Sequence, residues 1–225
     1  MKTCSLTYLE NNKQSCQQAN ESASSFRSLG WEVHLTRGLT PQTYPISDYK
    51  VMSGSRLMSF YFENQKKYAT KRACVMNHVR FWERVVAADE PLVFLEHDAI
   101  AVSAPVDWQF EEVLVLNAEY AFDFGALRGK FRGWKIPTVK EVSPLPEDYP
   151  LLCRVKDSPY FGAKMICGTA AYAITPKGAR AMLTVVEERG LEQSDYIIND
   201  MNVVIEYVCP SPVKFNSKNL GTSHG

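Results

Sequence analysis

Within its first 38 residues the chain changes hydrophobic period twice, and no other feature constrains the fold as tightly. "TCSLTYLE" (3–10) alternates apolar and polar residues as a half-buried strand does. Asn11 to Leu29 is polar and helix-compatible, with Cys16, Ala19, Ala23 and Phe26 at helical spacing and Gly30 placed as a C-terminal cap. "WEVHLTRG" (31–38) returns to period two. Strand, helix and strand in so short a span make a βαβ unit, which implies a parallel sheet.

The rest of the chain keeps to that pattern. Leu39 to Gly54 is turn-rich, with Pro41 and Pro45, and a helical stretch follows from about Arg56 to Lys71. "CVMNHVRFWERVVAADE" sets Val75, Val79, Trp82 and Val86 on one helical face and is closed by Pro91. "LVFLE" (92–96) and "EVLVLNA" (112–118) are almost continuously apolar, as strands covered on both faces are. Residues 119–166 contain Gly125, Gly129, Gly133 and five prolines without a sustained period, and read as long functional loops with short elements inside. "GTAAYAIT" (168–175) is a strand; Thr175 as N-cap and Pro176 at the first helical position start a helix that Gly190 ends. "VVIEYVC" (203–209) is the last strand. Neither a repeat nor a composition break divides residues 1–225, so one α/β domain is expected.

Composition excludes several functions. Net charge is zero, so no whole-molecule field draws nucleic acid or an anionic membrane. The apolar runs are far shorter than the ~20 residues of a membrane-spanning helix, and "MKTCSLTYLENN" lacks the apolar stretch of a secretory signal. The six cysteines form no C-x-x-C pair, which argues for reduced, mostly buried thiols and a cytoplasmic location.

Chemistry concentrates in "PLVFLEHDAIAV" (91–102), where Glu96, His97 and Asp98 follow an apolar strand. Ligands of open α/β sheets bind beyond the carboxyl ends of the strands. In an extended chain Glu96 and Asp98 would share a crevice while His97 points away. Mn²⁺ or Mg²⁺ takes one or two carboxylates together with substrate phosphates, so the pair suits a nucleotide diphosphate. The plainer account makes Asp98 a turn cap and Glu96 a solvated acid.

"ACVMNHVRFWERVVAADEPLVFLEHDAI" (73–100) resembles a segment of glycosyltransferase family 25, the lipopolysaccharide-type galactosyltransferases, at Cys74, His78, Trp82 and Glu96 to Asp98. "CGTAAYAITPKGARAML" (167–183) is similar to the family's Gly-Thr-x-x-Tyr strand with its following Lys-Gly-Ala helix. "SDYIINDMNVVIEYVCPSPVKFN" is similar to its late Asp, strand and Pro-containing turn. The resemblance implies a single-domain GT-A, Rossmann-like α/β/α sandwich with a mostly parallel central sheet. It also implies metal-dependent transfer of a hexose from a nucleotide-diphosphate sugar, UDP-hexose foremost, to a saccharide or similar hydroxyl acceptor. Two positions depart from the family pattern: His97 stands where the family has Asp, and "SLTYLENNKQS" lacks the Asn-Leu-x-x-Arg-x-x-Arg of the family's start.

Each further candidate has a plain alternative. His224, in the terminal "TSHG", completes a metal shell or is a solvated tail residue. Asp195 is the general-base candidate, with Asp200 as alternate, unless Ser194 and Asp195 merely cap a helix. In "GALRGKFRGWK" (125–135), Arg132 and Trp134 belong to a flap that grips phosphate and stacks on sugar, or to an exposed charged loop. Its cation–aromatic mix also permits single-stranded nucleic acid, a poorer fit in a neutral protein. Lys71 and Arg72 precede the Cys74 helix, whose start could hold a diphosphate, or are ordinary surface charge. Glu10 ends the first strand where a donor ribose would lie, or is a solvated carboxylate, and Gly168 and Thr169 open a strand beside the substrate, or are plain strand entry. His78, one turn from Trp82, reads as a structural histidine. Two rival functions remain: a degenerate nucleotide or glycan binder, and a metal-dependent phosphohydrolase.

Overall fold

The computed structural model describes residues 1–44, 49–121, 134–166 and 168–216. The opening alternation becomes β1 (Thr3–Tyr8), α1 (Lys13–Ser28) and β2 (Glu32–Arg37), with β1 and β2 parallel. Asn12 Oδ1 accepts the Ser15 N–H at 3.0 Å to start α1. Gly30 follows its end at φ +88°, a backbone region that glycine enters without a Cβ clash.

Two helices follow, α2 (Arg56–Glu63) and α3 (Gln65–Ala88). The break between them lies at Asn64, earlier than the sequence pattern suggested. Asn64 is extended (φ −163°, ψ 107°), and its Oδ1 accepts the Lys67 N–H at 2.9 Å. Lys71 and Arg72 therefore lie in the second turn of a 24-residue helix. Their backbone N–H groups are within the helix ladder, so the expectation of a diphosphate at a helix start there is corrected.

β3 (Leu92–Glu96) runs parallel to β1. The chain turns at 97–98 and continues as β4 (Ala99–Ala101), β5 (Val113–Val115), α4 (Ala118–Ala121) and β6 (Ser143–Pro144). Then come β7 (Ala171–Ile174), α5 (Pro176–Arg189), α6 (Ser194–Ile197), β8 (Ile205–Tyr207) and β9 (Val213–Phe215). Thr175 and Pro176 start α5 as their residue types require, Thr175 Oγ1 accepting the Gly178 N–H at 3.2 Å.

One seven-stranded sheet has the order β2-β1-β3-β7-β5-β8-β6; β4 and β9 form a separate antiparallel pair. β2, β1, β3, β5 and β8 share one direction, and β7 and β6 oppose it. α1 covers one face through Ala19, Ala23 and Phe26 on Leu6, Val93 and Leu95. α3 and α5 cover the other through Val79, Trp82, Val85 and Met182 on Phe94 and Tyr172. The sandwich is thus α/β/α, as the resemblance implied. No helix of the described residues is long and apolar enough to cross a membrane.

The reversed strand β7 makes the site possible. Leu95 pairs with Ala171, and the Glu96 N–H donates to Ala170 O at 2.9 Å. The segment entering β7 therefore lies beside the carboxyl end of β3. Gly168 to Ala170, expected as strand, are instead a non-strand approach, with Gly168 at φ +80°.

Candidate functional site

A cavity of about 280 Å³ opens at the carboxyl ends of β1 and β3. Thr7 and Tyr8 reach it from β1, Cys74 and His78 from α3, and Glu96 and His97 from beyond β3. The position is the one sheet topology predicts for a ligand. The turn at 97–98 changes two expectations, however. Strand alternation has ended there, so His97 lines the same cavity as Glu96 instead of pointing away from it, and Asp98, expected to share that crevice, is not among its lining residues.

Three acids and one lysine converge at this end of the sheet. Burial pushes Glu96 up to about 8; the Asp98 charge and then the Asp195 charge add to the rise, and Lys71 opposes it. Burial also raises Asp98, against the His97 charge and a backbone hydrogen bond. Among the described residues Asp98 Oδ1 is buried without a hydrogen-bond partner. Asp195 is raised by burial, with Lys71 the strongest opposing influence. Cys74 lies in the same field: burial lifts its thiol to about 11, Glu96 and Asp195 raise it further, and Lys71 pulls it down. Burial lowers His97, favouring its neutral form. Clustered carboxylates with raised pKa values and an orphaned oxygen suit a cation.

Asp195 does not cap its own helix. The N-cap of α6 is Gln193, without a side-chain cap bond. Asp195 Oδ1 instead lies 3.4 Å from the Thr169 N–H and 3.3 Å from Thr169 Oγ1. Thr169 is buried, and Asn117, 1% exposed, steadies the preceding residue by donating Nδ2 to Gly168 O at 3.1 Å. Gly168 and Thr169 thus hold the candidate base. The sequence did not single out Asn117, although a polar residue directly after the apolar run "VLVL" carries the same signal as Glu96 after "LVFL".

The remaining candidates disperse. Arg72 Nη2 donates to Tyr49 O at 2.8 Å, and its guanidinium lies 5.2 Å from the Tyr44 ring centroid, so it ties the 39–54 segment to α3. Glu10 pairs with Arg37 at 2.9 Å on the surface. Asp200 Oδ1 accepts the Lys164 N–H at 2.7 Å. Trp134 Nε1 donates to Asp148 Oδ2 at 3.1 Å, and its ring meets Tyr149 edge-on at 5.7 Å. Arg132 and His224 lie outside the described residues. The last described residue, Asn216, donates its N–H to Asp98 O at 2.9 Å. His78 is structural, as expected: its Nδ1 lies 3.0 Å from the Tyr172 hydroxyl, and burial lowers it to about 3.

A family model described as glycosyltransferase family 25 (LPS biosynthesis protein) matches residues 9–198. The chain belongs to this family. A search of curated proteins found no match. Family 25 membership makes glycosyl transfer the activity class and LPS biosynthesis its setting. The matched region runs from the end of β1 through α6, and so contains Lys71, Glu96, Asp98, Thr169 and Asp195. Among the described residues no group of three or more His, Cys, Asp or Glu is arranged to hold a metal ion. Glu96 and Asp98 nevertheless fit a hard cation that takes its other ligands from a diphosphate and water, and the orphaned Asp98 oxygen is the kind of donor it uses.

Proposed function

We propose that this family 25 chain transfers a hexose from a nucleotide-diphosphate sugar, UDP-hexose foremost, to a saccharide hydroxyl, with Mn²⁺ or Mg²⁺ held by Glu96 and Asp98. The observation that carries the reading is the electrostatic convergence of Asp98, Asp195 and Lys71 on Glu96, which lines a cavity beyond the carboxyl ends of β1 and β3. A bound divalent cation would neutralise the diphosphate and the charge that grows on it as it leaves. Asp195, raised by burial and oriented by Thr169, accepts the proton of the attacking hydroxyl. Lys71 opposes the rise at Glu96 and Asp195, and so favours their ionised forms. Arg132 and His224 retain their proposed parts, a phosphate grip and a further metal ligand. Free thiols at Cys4, Cys16, Cys74, Cys153 and Cys209 support a cytoplasmic location.

The test is turnover over a panel of sugar nucleotides with Mn²⁺ and a saccharide acceptor, read as released nucleoside diphosphate. One donor is expected to turn over only with the cation. Asp195→Asn is expected to lower kcat roughly 10²–10⁴-fold with donor affinity preserved. Release of inorganic phosphate or nucleoside monophosphate instead would identify a phosphohydrolase. Saturable binding without release would identify a binder, and either result overturns the transfer reading.

A further inference from the structure

A second polar cavity, of about 330 Å³, lies between α3 and the β1–β2 edge of the sheet. Its existence follows from strand alternation. Cys4 and Leu6 of β1 and Val33 of β2 join the buried cluster under α1. Ser5, Thr7 and Thr36 must then face α3, where a helix over a sheet would ordinarily meet apolar side chains. In place of apolar residues, α3 sends Asn77, Arg80 and Arg84 toward them.

The charges of this cavity are unbalanced. Arg84 donates Nη1 to Thr36 Oγ1 and Nη2 to Ser5 Oγ, each at 2.8 Å, so its acceptors are neutral hydroxyls. Among the described residues neither Arg80 nor Arg84 forms an ion pair. The one acid lining the cavity, Glu83, accepts from the Tyr49 hydroxyl at 3.2 Å. Burial, with the Arg80 charge beside it, lowers Arg84 from its ordinary value. Thr7 is only 9% exposed, and its Oγ1 is buried without a partner among the described residues. A sheet edge needing only solvation has no cause to desolvate a guanidinium beside a second cation and orphan a hydroxyl.

We propose that the Arg80–Arg84 cavity binds a phosphate-class oxyanion, with the two guanidinium groups as charge partners and the Thr7 hydroxyl as a further donor. Guanidinium matches a tetrahedral oxyanion in geometry as well as charge. Thr7 and Asn77 line this cavity and the one at the end of β3 alike, so an anion here abuts the transfer site without using its acids. The site is a candidate for product or effector control of transfer, and its existence does not depend on the transfer reading.

The experiment is isothermal titration of the full chain with inorganic phosphate and, separately, with glucose 1-phosphate. Both are run in EDTA at constant ionic strength, so that no cation recruits phosphate to Glu96 and Asp98. Saturable binding of at least one is expected, weakened at least tenfold by Arg80→Gln and by Thr7→Val and unchanged in Glu96→Gln. Arg80 is exposed and, among the described residues, unpaired, so its replacement leaves the fold intact, which a thermal melt verifies. Tighter binding of the sugar phosphate assigns the site to a phosphorylated metabolite, and tighter binding of inorganic phosphate to the free anion. No heat from either probe, wild-type affinity in Arg80→Gln, or loss of binding in Glu96→Gln overturns the proposal.

Discussion

Two buried polar groupings stand two residues apart along β3 and meet opposite fates. Around Phe94 the groups satisfy one another: Trp82 Nε1 donates to the Tyr172 hydroxyl at 2.9 Å, that hydroxyl lies 3.0 Å from His78 Nδ1, and His78 sits 4.2 Å from Phe94, ring to ring. Around Glu96 the acids repel each other, and an Asp98 oxygen has no partner among the described residues. Both groupings draw on β3 and α3, so the scaffold is able to supply donors. It supplies them where structure requires and withholds them where a ligand is expected. A satisfied polar cluster specifies the fold, and an unsatisfied one at the ligand end of a sheet marks chemistry.

Replacing an acid in the unsatisfied cluster should therefore cost activity and spare stability. Asp98→Asn is expected to lower kcat/KM at least ~10³-fold, about 4 kcal/mol of transition-state stabilisation, with an unchanged or higher melting temperature. Released nucleoside diphosphate and a thermal melt measure the two effects. Wild-type turnover in this variant would remove the metal site from position 98.

The same cluster predicts a pH dependence. Glu96 has a pKa of about 8 in the folded chain against an ordinary value of 4.5, so between these values the native state holds a proton that the unfolded state has released. Without a cation, the contribution of Glu96 to stability is full below about 4.5 and is lost as pH rises through about 8. A cation must displace the same proton. Mn²⁺ affinity should thus rise roughly tenfold per pH unit from 6 toward 8 and flatten above, as one-proton linkage requires. Melting curves with and without Mn²⁺ across this range test it, and a flat affinity profile would mean that Glu96 is not a ligand.

The satisfied cluster predicts the converse. Tyr172→Phe strips the shared partner from His78 and Trp82, so roughly 1–3 kcal/mol of stability is expected to be lost. Activity per folded molecule should hold. A large fall in kcat at full occupancy of the native state would show that the two clusters are coupled, and would blur the distinction drawn between them.

The difference between the clusters was only partly visible in the chain. Strand and helix periods at residues 3–38 and 92–96 are local, so the parallel start of the sheet and the placement of Glu96 could be read directly. The Thr175–Pro176 start of α5 is equally local. The Asn64 boundary was hidden because a helix N-cap between two helix-compatible runs breaks no periodicity, and so Lys71 and Arg72 looked like a helix entrance. Antiparallel pairing of β3 with β7 is a long-range fact, as is the grip of Thr169 on Asp195. Asp195 could be nominated as an acid late in the chain, but its neighbours could not. Lys71 and Arg72 show the limit well. They are adjacent in sequence, yet one enters the acid field while the other anchors a loop at Tyr49.

Glu10 supplies the smallest expected effect and a control for both clusters. It lies two residues beyond β1, near the same cavity, but its carboxylate pairs with Arg37 in the open, with side-chain exposures of 48% and 72%. Water screens such a pair, and holding two long side chains together costs entropy that cancels much of the attraction. Glu10→Gln is expected to change stability by no more than about 0.5 kcal/mol and to leave turnover within twofold, measured by denaturant melts and nucleoside diphosphate release. A larger loss of donor affinity than of stability would mean that Glu10 leaves Arg37 to meet the donor. The unsatisfied cluster would then extend from the end of β3 to the end of β1, and exposure alone would no longer separate a surface acid from a binding one.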